Sequence, residues 1–288
     1  MSLSVPIPSL AQFRPGKPLL KWAGGKSQLL PELRRIIPAR FTRYVEPFLG
    51  GGALFWNLAL PGSWVNDSNP ELVHFCSIVR DEPEVLLETI SEMPLNRDHF
   101  YHLRSLGPEE MDPVERAARF IYLNKTCYNG LYRVNRQGVF NTPFGGRSDV
   151  KIVERASLMN ASALLRACTL TQEDFEVILD HACPGDFVYI DPPYWPLEGY
   201  ADFKRYTRDF FGKEDHRRLA ACFRRLSDRG IKALLSNSSC PEVKNLYRGF
   251  HQVEVSATRQ INCISTKRGK IKELLVTNYP LETENVFS

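Results

Sequence analysis

The stretch Phe187-Val188-Tyr189-Ile190-Asp191-Pro192-Pro193-Tyr194 sets the architecture expected of this chain. Its first four residues are an unbroken apolar run, which reads as a strand buried on both faces of a parallel sheet. The run stops at an acid followed by two prolines, so Asp191 is expected at the carboxyl edge of the sheet, where open α/β folds place their ligands. The prolines cannot continue the ladder and stiffen the backbone, which exposes the carbonyls around them. Tyr194 adds a flat face beside the carboxylate. A carboxylate, a carbonyl and an aromatic plate suit an exocyclic amino group on a planar base: two acceptors for its N–H bonds and a surface for the ring.

Working outward, strand and helix alternate on both sides of this stretch. Tyr44–Glu46 and Trp64–Asn66 read as short strands, and Ala53–Leu60 as the helix between them. Asn69-Pro70 opens another helix, with proline in its first turn. After Asp191, Lys213–Arg229 is helical, and strands are expected at Ile231–Ser236, near Gln252–Ser256 and at Glu273–Thr277. Between the early and late strands the character changes. Glu115–Lys125 is amphipathic, and Asn129-Gly130 and Gln137-Gly138 are turn signals around aromatic segments, which suggests one or two β-hairpins. The expectation is a mixed, mostly parallel Rossmann-like sheet with helices on both faces. A helical and hairpin insertion interrupts it, with residues 1–71 and 164–288 forming one domain and 72–163 the other.

Bulk composition narrows the function. The 288 residues are 43% hydrophobic and 24% charged, ordinary for a globular chain. No apolar stretch is long enough for a membrane span, and no signal peptide is visible, so a cytoplasmic protein is expected. Seven cysteines lie scattered with no Cys-x-x-Cys pair, which argues for reduced thiols and against a zinc site; no metal is expected. Net charge is only +4, but from Arg116 to Arg155 eight basic residues face two acidic ones. Tyr122, Tyr128, Tyr132, Phe140 and Phe144 are interleaved with that cluster. A charge cluster alone is usually a solvated face; mixed with aromatics it suits a phosphate backbone and unstacked bases. His216, set in a basic helix, reads as a surface residue.

Two glycine stretches follow. Phe48-Leu49-Gly50-Gly51-Gly52 lies between a strand and a helix, so its N–H groups are available to a ligand. Asp67 ends the next strand, a place suited to a ribose diol. The dinucleotide fingerprint fails, because its third glycine position is Phe55. Ala23-Gly24-Gly25-Lys26-Ser27 looks like half of a phosphate-binding loop, but the glycine required five positions before Gly25 is Leu20. A nicotinamide enzyme and a nucleoside triphosphatase are both disfavoured.

Taken in order, these segments resemble the DNA adenine-N6 methyltransferases of the Dam/DpnII (D12) type, in the alpha arrangement. The resemblance runs from about Leu19 to Tyr279. Its markers are Lys21-Trp22-Ala23-Gly24-Gly25-Lys26, Glu46-Pro47-Phe48-Leu49-Gly50-Gly51-Gly52, Asn66-Asp67 and Cys127-Tyr128-Asn129-Gly130-Leu131. They continue through Phe140-Asn141-Thr142-Pro143-Phe144-Gly145, Asp174-Phe175, Asp191-Pro192-Pro193-Tyr194, Ser236-Asn237 and Lys272-Glu273-Leu274-Leu275.

The resemblance implies S-adenosyl-L-methionine as methyl donor and double-stranded DNA, with adenine in GATC, as target. It places Trp22 and Lys26 at the methionine end and Gly50 to Gly52 in the loop beneath, with Glu46 and Phe48 also binding the cofactor. Asp67 would hold the ribose, Asp174 and Phe175 would meet the adenine moiety, and Asp191 would lie near both ligands. Asp191, Pro192 and Tyr194 would carry the chemistry on a flipped base. Lys125, Tyr128, Asn129, Leu131, Arg133, Pro143 and Arg147 would face DNA, with Arg133 on guanine and Leu131 and Pro143 on a thymine methyl. Asn124-Lys125-Thr126 and Gly146-Arg147-Ser148 depart from some relatives, which bears on phosphate contacts and flanking preference. Methylation of cytosine N4 or of an RNA or protein amide is the rival chemistry, and a silent DNA-binding relative the non-enzymatic one; the leading Asp191 leans toward adenine. A monomer is expected, and a restriction-modification role is one of several compatible with the sequence.

Overall fold

In the computed structural model, residues 13–135, 137–147, 149–196, 211–258 and 270–281 are described. Among the described residues seven strands form one sheet: β1 Tyr44–Glu46, β2 Trp64–Asn66, β3 Thr169–Thr171, β4 Phe187–Ile190, β5 Lys232–Ser238, β6 His251–Thr258 and β7 Lys270–Thr277. Their order is β3-β2-β1-β4-β5-β7-β6. The first five are parallel, while β7 runs antiparallel between β5 and β6. This is the mostly parallel sheet expected from the apolar strands.

Alternation along the short strands explains why they are apolar throughout. Tyr44, Val65, Phe187 and Tyr189 point into one core. Val45, Trp64, Val188 and Ile190 point into the other. A strand buried on both faces leaves no room for a polar position: β1 and β2 carry one only at their last residue, and β4 is followed by one, Asp191.

The helices are α1 Leu30–Ile36, α2 Ala53–Leu58, α3 Pro70–Asp81, α4 Pro83–Ser91, α5 Arg97–Ser105, α6 Pro113–Thr126, α7 Arg155–Arg166, α8 Ile178–His181, α9 Lys213–Asp228 and α10 Pro241–Leu246. The Asn69-Pro70 signal acts as expected: the Asn69 side chain accepts from the backbone N–H groups of Glu71 and Leu72. Asp112 caps α6 in the same way, with Pro113 behind it.

Residue 72 lies in the first turn of α3 and residue 163 in the last turns of α7, and these two helices pack against each other. The helices between them share one hydrophobic core with one face of the sheet, through residues such as Phe75, Phe100, Phe120 and Leu158.

Two local expectations change. The aromatic segment after α6 forms no regular hairpin among the described residues. It is irregular chain tied by two isolated bridges, Val134 to Phe140 and Cys127 to Phe144. His216 is buried, its ring edge-on to Phe211 and tilted against Trp195. It shares the apolar stripe of α9 with Leu219, Ala220, Phe223 and Leu226, a helical spacing masked in the sequence by the arginines around it.

Candidate active site

The strand order reverses between β1 and β4, and their carboxyl ends open the crevice where ligands bind in such sheets. The turn after β1 carries Gly50 at φ +47°, and a Cβ there would come within 3.0 Å of the Trp22 ring. Trp22 is thus laid against the glycine turn. On its other side it stacks on Tyr132, with centroids 5.3 Å apart and planes 12° from parallel.

The turn is less open to a ligand than its glycines suggest. Gly50 N–H donates to Asp67 Oδ2 at 2.8 Å, and Gly52 N–H donates to the Leu49 carbonyl at 2.6 Å. Asp67, at the end of β2, also accepts from Asn69 N–H at 2.9 Å. Burial pushes its carboxyl up to about 6, although these two bonds pull the other way. Glu46 is buried and held well above the usual carboxylate range by burial, despite a 2.8 Å bond from Tyr44 Oη; Asp191 and Asp67 add to the shift. Phe48 stacks on Phe175 at 5.4 Å, and Phe211 meets both. Asp174 is exposed, caps the turn that follows it and pairs with Arg218 at 2.8 Å.

At the end of β4, Asp191 is surrounded by donors. Lys26 Nζ lies 2.8 Å from Asp191 Oδ1, and Ser236 Oγ donates to the same oxygen at 2.7 Å. Lys26 is buried; its ammonium also donates to the Gly24 carbonyl at 2.5 Å and sits 4.4 Å above the Tyr194 ring centroid. It therefore joins the glycine loop to the acid and the aromatic plate, which its neighbours in sequence do not reveal. The Tyr194 hydroxyl donates to Glu273 Oε2 on β7 at 2.5 Å. Asn237 Oδ1 accepts from the Trp195 N–H at 3.0 Å, and Ser238 Oγ donates to the Trp195 carbonyl at 3.1 Å. Ser236, Asn237 and Glu273 enter the sequence reading only as family markers. Their work depends on strand register, which no single segment displays.

The basic aromatic segment lies beside the glycine loop. Asn124 makes a two-way link to Lys21: Lys21 N–H donates to Asn124 Oδ1 at 2.8 Å, and Asn124 Nδ2 donates to the Lys21 carbonyl at 2.7 Å. Tyr128, Asn129, Pro143 and Arg147 are exposed. Tyr128 N–H donates to the Pro143 carbonyl at 2.8 Å, which places these two side by side. Arg133 is half-buried, with Nε donating to Asn141 Oδ1 at 2.8 Å. Leu131 is buried, so its side chain is not on the surface with the others. Lys125 is half-buried, and burial, with Lys21 nearby, lowers its ammonium to about 8.

Residues 22–261 match the profile of the D12 class N6 adenine-specific DNA methyltransferases. The chain is 40% identical over 271 residues to the Type II methyltransferase M1.LlaDCHI of Lactococcus lactis subsp. cremoris, covering 91% of this chain and 95% of that protein. It is 38% identical to the Type II methyltransferase M.MjaIII of Methanocaldococcus jannaschii, covering 91% of this chain and 99% of that one. The DNA adenine methylase of Escherichia coli K12 is 31% identical, over 93% of this chain and 97% of its own length. With its acid and aromatic plate at the end of β4 and a matched span covering most of its length, the chain belongs to the family of D12 class N6 adenine-specific DNA methyltransferases.

Proposed function

We propose that this protein transfers the methyl group of S-adenosyl-L-methionine to N6 of an adenine flipped out of duplex DNA, within GATC. The observation that carries the reading is the state of Asp191. Its ion pair with Lys26 and its hydrogen bond from Ser236 both fall on Oδ1, and Oδ2 accepts none among the described residues. Among the described residues the Pro192 carbonyl accepts none either. Two acceptors from consecutive residues match the two N–H bonds of an exocyclic amine.

That nitrogen is a poor nucleophile, because its lone pair is conjugated with the ring. Hydrogen bonds to Asp191 Oδ2 and the Pro192 carbonyl favour a more tetrahedral nitrogen and free its lone pair. Asp191 then lowers the cost of the departing proton. Lys26 and Ser236 orient the carboxylate from its other oxygen. Tyr194 offers the stacking face for the flipped base.

The residues of the first two strand ends fit the methyl donor. Asp67 is an acid placed for ribose hydroxyls, the stacked Phe48–Phe175 pair offers an apolar surface for the adenine moiety, and Trp22 covers the glycine turn. The donor supplies a sulfonium-activated methyl when bound. Residues 72–163 form the target-recognition domain in this reading, with Lys125, Tyr128, Asn129, Pro143 and Arg147 toward DNA. The names of the first two relatives, Type II methyltransferases, support a restriction-modification role.

Mass analysis of nucleosides from DNA treated with the protein tests the chemistry: N6-methyladenine is expected, and N4-methylcytosine would overturn it. Mapping methylated sites with wild type and Arg133→Ala tests the target. A guanine reader, once lost, relaxes one base position by about 1–3 kcal/mol, whereas a phosphate contact weakens all sites alike.

A further inference from the structure

Glu273 is a carboxylate on an inner strand, 8% exposed, between the exposed Lys272 and the buried Leu274. A buried acid is a poor choice for sheet stability unless it has a partner. Its register partner across the ladder is Ser238 of β5, so it lies level with the residues that grip the loop after β4. The grips from β5 are shared out in a definite way. Ser236 holds the Asp191 carboxylate, and Asn237 and Ser238 hold the backbone of Trp195. None of these three bonds reaches the Tyr194 ring. Glu273 does, through the 2.5 Å bond to the hydroxyl at the ring's far end.

That end is the useful one to hold. The hydroxyl lies on the axis about which the ring spins, so anchoring it fixes where the ring points. The in-plane preference of a phenolic O–H, with the Lys26 ammonium 4.4 Å above the face, then fixes the tilt. We infer that Glu273 is a positioning residue, which sets the Tyr194 plate at the angle at which the target base stacks. The inference rests on the reading of Tyr194 as that plate.

The test uses the full-length protein and a short duplex carrying 2-aminopurine at the target adenine, beside single-turnover methylation of the unmodified duplex. Glu273→Ala should slow transfer about tenfold or more, the loss typical of a charge-assisted hydrogen bond, and change the 2-aminopurine signal of the bound complex. Affinity for S-adenosylhomocysteine should stay within about twofold, because the charged bond removed lies on the target side. Glu273→Gln keeps an acceptor for the hydroxyl and should restore most of the rate. Tyr194→Phe removes the same bond from the other side while keeping the ring, and Tyr194→Phe with Glu273→Gln should be no slower than Tyr194→Phe alone.

Wild-type rate and fluorescence in Glu273→Ala overturn the inference, as do effects of the two positions that multiply. If Glu273→Ala does not fold, Tyr194→Phe decides: wild-type behaviour there overturns the inference equally. Tyr194→Ala separates this from the underlying reading. If it leaves rate and fluorescence unchanged, the plate itself is wrong, and not only its anchor.

Discussion

Asp191→Ala should abolish methyl transfer, but it should also cost stability, because Asp191 is not a free strand-end acid. Its side chain is 18% exposed, and the Lys26 side chain bonded to it is 5% exposed. Deleting the carboxylate strands an ammonium in the interior. Breaking a buried pair from one side costs about 3–5 kcal/mol. Asp191 retains some solvent, and Lys26 keeps the Gly24 carbonyl and the Tyr194 face, so about 2–3 kcal/mol is the better figure here. For 288 residues the unfolding entropy is roughly 0.6 kcal/mol/K, which turns that cost into a melting shift of about 3–5 °C. The assay is a thermal melt of the apoprotein beside single-turnover methylation. Adding Lys26→Met to Asp191→Ala removes the stranded charge and should recover at least half of the lost stability, with no return of activity. An Asp191→Ala protein that melts like wild type would refute the buried ion pair. A double variant that melts lower than Asp191→Ala would show that the two side chains are not coupled.

Three further outcomes follow from the geometry. The Asp67 carboxyl titrates at about 6, and only its ionised form accepts two ribose hydroxyls; affinity for S-adenosylhomocysteine should therefore fall about tenfold per pH unit below 6 and level off above it, by calorimetry. A pH-independent affinity would return Asp67 to holding the Gly50 turn. Lys125→Ala should reduce the slope of log DNA affinity against log salt by about 1 at pH 7, and the wild-type slope should shrink as pH rises through about 8, where this amine loses its charge. An unaltered slope would leave Lys125 without a phosphate contact. Gly130→Ala should destabilise by on the order of 1–3 kcal/mol, because its φ is +62° and the added Cβ would lie 2.2 Å from Lys21 Cδ; a denaturant melt like that of wild type would show a different course for this segment.

The sheet was legible because its central strands are short, apolar and closed by marked ends. Tyr44–Glu46, Trp64–Asn66 and Phe187–Ile190 begin and end where their residues say. The segment after α6 was harder. Its glycines and aromatics are those of a hairpin, but Asn129 takes φ +56° and the chain closes through two single bridges. Leu131 was expected on a thymine methyl from the family resemblance of its segment; it turns inward with Tyr132 and Val134. At the site, the acid and the plate were readable from one strand end. Their holders were not, since Lys26, Ser236 and Glu273 come from three distant parts of the chain and meet Asp191 and Tyr194 only through β-sheet register and the fold of the glycine loop.

The two-way bond between Lys21 and Asn124, with the Trp22–Tyr132 stack, has a consequence for how such a protein changes its target over generations. On the proposal that residues 72–163 read the target, an exchanged stretch would run from the first turn of α3 to the last turns of α7, whose Ser162 and Arg166 hold the Arg80 carbonyl at the far end of α3. The graft must nevertheless arrive with an amide at 124 and a flat ring at 132, or the tryptophan over the glycine turn loses its backing. On that reading, crossovers within α3 and α7 would carry those two side chains along with any new specificity, so the exchanged unit would include the residues that back Trp22 and Lys21.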